Sequence, residues 1–367
     1  MRNNVNKYVP KWAKFLFLLA GISFVVLFVG RRNSAFAEWI SDGIGYYIRM
    51  TLGRLSSSVP FSVGEILIFS SPIIVITIIV LAIRRGSFSG FVRFLSGTLA
   101  ILTLFYTGYV YTLGIGYHRV SIDSKLGFAE AEVSADNLYA TALVLKAECD
   151  ALLDSVYFSE SGSSEAGVEF NTLSAEVLSG YEKLDADFPE LKIKNFTSAA
   201  KPVNASVVMT KLDLLGVYTY FTGESNVNVH YPDYTTPYTI AHEMAHQRGI
   251  ARENEANFIA FLVCMRSNSE YVRYSGYLNM LEYVASALYK TDKELYRTLV
   301  SSYDARIKGE INAYREFYQA NKNEILGKIS ETVNDNYLKS QGTAGTITYS
   351  LVVRLCVSYY ADLETEK

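Results

Sequence analysis

Three long uncharged runs dominate the first third of the chain: Phe15 to Gly30, Ile66 to Ile83 and Phe94 to Tyr117. At ~1.5 Å per residue, the last two have the length to cross a hydrocarbon core of ~30 Å. The first is a little short, but Trp12 and Lys14 suit the interface and extend its reach. The pattern predicts a membrane region over residues 1–118, with three transmembrane helices at about 12–30, 65–83 and 94–117 set in a lipid bilayer.

Basic residues orient these helices. Arg2, Lys7, Lys11 and Lys14 precede the first run, and Arg84, Arg85 and Arg93 separate the second from the third. The positive-inside bias puts both clusters in the cytoplasm, and three spans then put everything after about His118 outside. Ala35-Phe36-Ala37 has the look of a signal-peptide cleavage site. Arg31 and Arg32 stand between it and the apolar run, which favours an uncleaved anchor. Trp39 to Leu55 mixes apolar and charged positions and reads as an amphipathic helix along the membrane surface.

From Val120 onward the pattern is that of a globular domain covering residues 119–367. Phe128 to Val156 and Thr172 to Phe188 have helical spacing, with Ser159 to Gly167 as an exposed loop between them. Pro202 to Val229 is rich in Val, Tyr and Phe, broken at Gly216 and at Gly223 to Asn226, and predicts two or three short strands. From Thr239 the spacing is helical again, with breaks near Gly249, Ser267, Thr291 and Gln341 to Gly345. The expected fold is mainly α with a small β-sheet, following a three-helix membrane region.

Composition narrows the chemistry. In 367 residues, 50% are hydrophobic and only 19% charged, and the net charge is −3. The absence of a basic excess speaks against a nucleic-acid partner. Cys149, Cys264 and Cys356 lie far apart, so neither a disulfide framework nor a cysteine zinc finger is expected. The histidines are four: His118, His230, His242 and His246.

Two of them stand in His242-Glu243-Met244-Ala245-His246. On a helix, a spacing of four puts both imidazoles on one face, one turn apart, where they can hold one Zn²⁺. Glu243 follows the first histidine and points beside the metal, where it can reach a water rather than the ion. A catalytic zinc needs a third protein ligand. Gly249 ends the helix, and a second helix is expected from about Arg252 to Arg266. Glu253 on that helix is the favoured ligand, because Asn257 lies one turn later on the same face, where it can orient a ligand histidine. Glu255 is its rival, pointing away around the helix, and His230 and His118 are further alternatives. Val217 to Phe221 or Asn226 to Val229 can supply a sheet edge for a peptide, and Tyr231, Tyr234 or Tyr238 a donor for an oxyanion. A late cluster, Tyr337 to Tyr349, is a candidate cover for the cleft.

These residues resemble known proteins. His242 to His246 is similar to the motif of zincin metallopeptidases, and Arg252-Glu253-Asn254-Glu255-Ala256-Asn257 resembles the Arg-Glu-x-x-Ala-Asp signature of gluzincin-type membrane peptidases. The chain differs from that signature at Asn257 and in placing Glu253 only seven residues after His246. The whole arrangement most closely resembles a bacterial membrane-protein family catalogued as domain of unknown function 3810. The resemblance implies a zincin-like fold and a gluzincin-like ligand set of His242, His246 and Glu253. The function expected is a zinc-dependent endopeptidase anchored in a bacterial cytoplasmic membrane, its catalytic domain outside, acting on a protein or peptide, with Glu243 as general base. The alternative is a non-catalytic membrane sensor or envelope assembly protein with a structural or vestigial zinc site. An intact Glu243 favours the enzyme. A transporter is disfavoured, since three spans are few and none carries an intramembrane charge.

Overall fold

The structure, a computed structural model, describes residues 6–128, 131–343 and 349–365. Helices make up 73% of it, and the sheets are small. The chain forms two units, one of Met1–Val120 with Thr219–Glu224 and one of Ser121–Tyr218 with Ser225–Lys367.

In the first unit, α1 (Lys11–Gly30), α4 (Val63–Ile83) and α5 (Phe88–Thr112) are long and apolar enough to cross a membrane, which marks the chain as membrane-associated. Between them lie α2 (Ser34–Ile40), a π-helical turn (Ser41–Gly45) and α3 (Tyr46–Ser56). Helix α5 starts earlier than the uncharged run suggests, because Ser87 caps it by accepting the Gly90 N–H at 3.2 Å. Arg93 therefore lies inside the helix. Pairing of α1 with α5 is close: the Trp12 ring covers Gly97, and the Ser23 and Thr107 hydroxyls face each other at 3.5 Å. The surface amphipathic helix expected over Trp39 to Leu55 is instead two helices, with Glu38, Asp42 and Arg49 turned inward and only Arg54 exposed among its charged residues. Arg49 is buried and donates to the carbonyls of Ser41 (3.0 Å) and Tyr111 (3.4 Å). Glu38 and Asp42 each pair with Arg119 at 2.8 Å.

Residues 219–224 complete this unit. The two carboxylate oxygens of Glu224 accept the Val63 N–H (3.0 Å) and the Gly64 N–H (2.7 Å), and the Thr222 hydroxyl adds a third bond at 2.8 Å. These amides open α4 and have no partner within it, so a buried anion there satisfies them and complements the helix dipole. Tyr220 and Phe221 set their rings edge-on against Tyr109 and Phe105, each pair at 5.6 Å.

The second unit begins with α6 (Ile122–Leu126) and α7 (Ala135–Leu152). The serine-rich loop is a small antiparallel hairpin, β1 (Tyr157–Phe158) with β2 (Ser164–Glu165). Then come α8 (Phe170–Asp187), β3 (Lys201–Pro202), α9 (Ser206–Lys211), β4 (Gly216–Thr219) and β5 (Glu224–Val227). The three last strands form one sheet in the order β3–β5–β4, with β3 and β5 parallel. Val207 and Val208, expected in a strand, lie on α9. Both are half-exposed on this short helix, so their β preference is not expressed.

The remaining helices are α10 (Thr235–Gln247), α11 (Glu253–Arg266), α12 (Glu270–Thr291), α13 (Lys293–Ser301), α14 (Ala305–Asn321), α15 (Glu324–Ser340) and α16 (Tyr349–Thr365). Helix α11 is central, packed against α8, α10, α12 and α16. Every side chain from Phe258 to Cys264 is fully buried, so it is apolar on all sides rather than along one stripe. Breaks before α14 and α15, not marked by Gly or Pro, are made by Asp304 and Asn323. Their side chains cap the next helix, accepting the N–H of Arg306 (2.8 Å) and Leu326 (3.0 Å). The proposed cover Tyr337 to Tyr349 starts on α15, and residues 344–348 of it lie outside the described residues.

Candidate functional site

Helix α10 carries His242 and His246 on one face, their Nε2 atoms 3.0 Å apart. Pro237 sits in its first turn, where no amide hydrogen is needed. The helix ends in a turn at Gly249, whose φ of 93° is costly for any residue with a side chain. The Ile250 N–H returns to the Ala245 carbonyl at 3.1 Å. The same turn brings the Ile250 carbonyl to 2.8 Å from His246 Nδ1. That carbonyl can only accept, so Nδ1 carries a hydrogen, and in the neutral ring the Nε2 lone pair faces His242.

Helix α11 begins at Glu253, whose carboxylate lies 3.3 Å from His242 Nε2 and 3.6 Å from His246 Nε2. Ligand atoms of the three residues fall within 4.8 Å of one another. Zinc bonds of ~2.0–2.1 Å in a tetrahedron would set donor atoms ~3.3 Å apart. The separations of 3.0, 3.3 and 3.6 Å fit that requirement, and the donor set of two imidazoles and a carboxylate suits zinc.

Charge is concentrated here. Burial opposes ionisation of Glu253, but the two imidazoles outweigh it and hold the carboxyl well below the usual range. Burial likewise opposes a charge on His246, yet the Glu253 carboxylate lifts it to about 9. Glu243 is buried beside them, and burial pushes its carboxyl up against the pull of both histidines. It is held by β4. The Tyr218 backbone N–H bonds to its carboxylate, and Gly216 presses against it. Oε2 of Glu243 is buried and makes no hydrogen bond.

The back of α10 is fixed by its own last residues. Arg248 is buried and donates to Asn195 Oδ1 (2.6 Å), the Phe196 carbonyl (3.1 Å) and the Met244 carbonyl (3.1 Å). Its guanidinium lies 4.1 Å over the Tyr181 ring, and the Tyr181 hydroxyl donates to the Ala241 carbonyl at 2.6 Å. Gln247 reaches Ser198 Oγ at 2.9 Å. From sequence, Gly216 reads only as a strand break and Tyr218 only as part of a candidate sheet edge, and Tyr181 and Arg248 have no role of their own. Only Arg248 carried a local signal, by following His246 so closely.

Several expected participants are elsewhere. Glu255 accepts the Ile122 N–H (3.2 Å) and pairs with Arg252 (2.7 Å), so its carboxylate is engaged away from the cluster. His230 bonds Thr210 Oγ1 at 3.1 Å and packs on Phe317. His118 ends a 3₁₀ turn in the first unit. All three candidate tyrosine donors are engaged: Tyr231 donates to Asp213 (3.1 Å), Tyr234 to Glu282 (3.0 Å) and Tyr238 to the Asn257 carbonyl (2.9 Å). Asn257 does not orient a ligand histidine; its side-chain oxygen faces the Tyr283 hydroxyl at 3.5 Å. Of the two proposed sheet edges, β5 is central and only β4 is an edge.

A family model described as "Protein of unknown function (DUF3810)" matches residues 41–357. No curated protein and no solved structure matches the chain.

Proposed function

We propose, for a chain that belongs to the DUF3810 family and whose family description assigns no activity, that the His242–His246–Glu253 cluster is the zinc site of a membrane-anchored endopeptidase. One observation carries the reading: three ligand atoms converge within 4.8 Å beside a buried glutamate that has an oxygen to spare. The catalytic domain is then a zincin-like one of gluzincin type, outside a bacterial cytoplasmic membrane, with protein or peptide substrates.

A bound zinc ion supplies Lewis-acid polarisation of the scissile carbonyl and acidifies a water molecule. His242, His246 and Glu253 would hold the ion, and the Ile250 carbonyl, by accepting from Nδ1, would leave His246 Nε2 to bind it. Glu243 takes a proton from the attacking water and returns it to the leaving amine, so water and a peptide bond become a carboxyl and an amine. Tyr218 and Gly216 hold that carboxylate in place through the exchange.

The test uses the full chain purified in detergent. Close to one zinc per chain and cleavage of a peptide library are expected, with cleavage lost in Glu243→Gln at unchanged zinc. A fully zinc-loaded wild type that cleaves no peptide or envelope protein would instead support a sensor or assembly protein.

A further inference from the structure

The segment from Ser34 to Ser56 is built inside out. A helix against water buries apolar side chains and exposes charged ones. Here α3 buries Arg49, Gly53 and Ser56, and the turn before it buries Ser41 and Gly45. What faces outward is Trp39 (69% exposed), Tyr47 (61%) and Leu55 (67%), with Ile44 between them. The acids of this segment are turned away too, since Glu38 and Asp42 are bound to Arg119. The outward face is also grooved. Gly43, Ile44, Tyr47, Ile48, Thr51 and Leu52 line an almost wholly apolar furrow of about 610 Å³, with the non-helical Gly43 among its walls.

We propose that residues 34–56 are embedded in the bilayer beside the three long helices, and that phospholipid acyl chains lie along this face and in its furrow. Continuity identifies the occupant. The same unit exposes Phe15, Leu18, Phe24 and Ile73 on its long helices, so the outward apolar side chains of residues 34–56 belong to the unit whose helices present apolar side chains to lipid. Exposed arginines stand at both ends, Arg31 and Arg32 before α2 and Arg54 near the end of α3, where their side chains can reach headgroups while the residues between them stay in hydrocarbon. The buried Arg49 is consistent with a dry setting, being bonded to backbone carbonyls of its own unit. This segment is therefore a membrane-inserted element that none of the three span-length helices includes. It stands independently of any hydrolytic activity.

The chain has two tryptophans, Trp12 and Trp39, so Trp12→Phe leaves Trp39 as the sole reporter. The full chain is reconstituted into phosphatidylcholine vesicles with brominated acyl chains. Trp39 emission should lose most of its intensity to the bromines and little to aqueous iodide. Quenching by iodide alone would overturn the proposal, and quenching by neither would show the face covered by protein, such as a second copy. A second measurement guards against a misfolded Trp12 variant. The native cysteines are all buried, so Tyr47→Cys can be selectively labelled with a nitroxide. That label should collide with oxygen far more than with a water-soluble nickel chelate, and the reverse ratio would reject insertion.

Discussion

A methyl group on Gly216 would lie 2.5 Å from Oε1 of Glu243. Strand β4 therefore approaches the helix of the two histidines closely, and it does so at an acid with a buried oxygen that makes no hydrogen bond. Tyr218, two residues along the same strand edge, bonds that carboxylate through its amide. Between them the two residues fix where Glu243 points.

Gly216→Ala should displace the Glu243 carboxylate while leaving His242, His246 and Glu253 untouched. Zinc content is expected to stay at the wild-type level, and kcat to fall ~10²-fold, the usual cost of misplacing a reacting group by ~1 Å. In a Glu243→Asp background, whose shorter side chain clears the methyl, the same substitution should add little further loss. Additive losses in the double variant would separate Gly216 from Glu243.

The proposed ligand set predicts different fates for two nearby glutamates. Glu253→Ala should weaken zinc binding by more than the ~10–100-fold typical of losing an outer-shell partner, read by competition with a chelator. Glu255→Gln should keep the metal but lower stability by ~1–3 kcal/mol, because Arg252 and the Ile122 amide lose a charged acceptor. Wild-type zinc affinity in Glu253→Ala would remove it from the ligand set.

Glu243→Gln preserves shape and hydrogen-bonding reach but cannot take a proton from water. Hydrolysis should drop ~10²–10⁴-fold with zinc bound and the melting temperature close to wild type. Metal and melting have to be read on the same sample, and equal cleavage at equal zinc would rule out the general-base role.

Glu282 on α12 accepts the Tyr234 hydroxyl, yet burial, with Glu310 adding to it, pushes its carboxyl up to about 7 from an ordinary 4.5. The fold thus holds this proton more tightly than the unfolded chain does. Its contribution is complete below about pH 4.5 and is lost as pH rises through about 7. Glu282→Gln should remove that decline and make the chain more stable than wild type at pH 8, by at most ~3 kcal/mol. Denaturant unfolding at pH 5 and pH 8 checks it; an unchanged pH dependence would mean Glu282 is not the group responsible.

Much of the scaffold was legible because its signals are local. Runs without charge mark the long helices, and a spacing of four with a following glycine marks α10 and its end. What escaped depends on contacts far apart in sequence. Val207 and Val208 have strand-forming side chains, but lie half-exposed on a short helix. Tyr231, Tyr234 and Tyr238 stand next to the histidines in sequence, and only the folded chain shows each hydroxyl spent on Asp213, Glu282 or a carbonyl. Arg49 gives an amphipathic reading in one dimension and turns inward in three. Gly216 reads as a turn or strand break; its closeness to Glu243 exists only after the sheet has formed.

The six residues from Thr219 to Glu224 bear on how this protein can be taken apart. They belong with the helices of the first unit, so that unit is discontinuous in sequence and no single cut releases either unit whole. A water-soluble fragment beginning near Val120 would carry Glu224 away from the Val63 and Gly64 amides and leave Tyr220 and Phe221 without Tyr109 and Phe105. It would present two bare aromatic rings and an orphaned carboxylate on a hairpin whose first strand, β4, also supports Glu243. Inactivity or aggregation of such a truncated fragment would reflect the amputation rather than the chemistry of the site, and a single proteolytic nick would not release an intact soluble form.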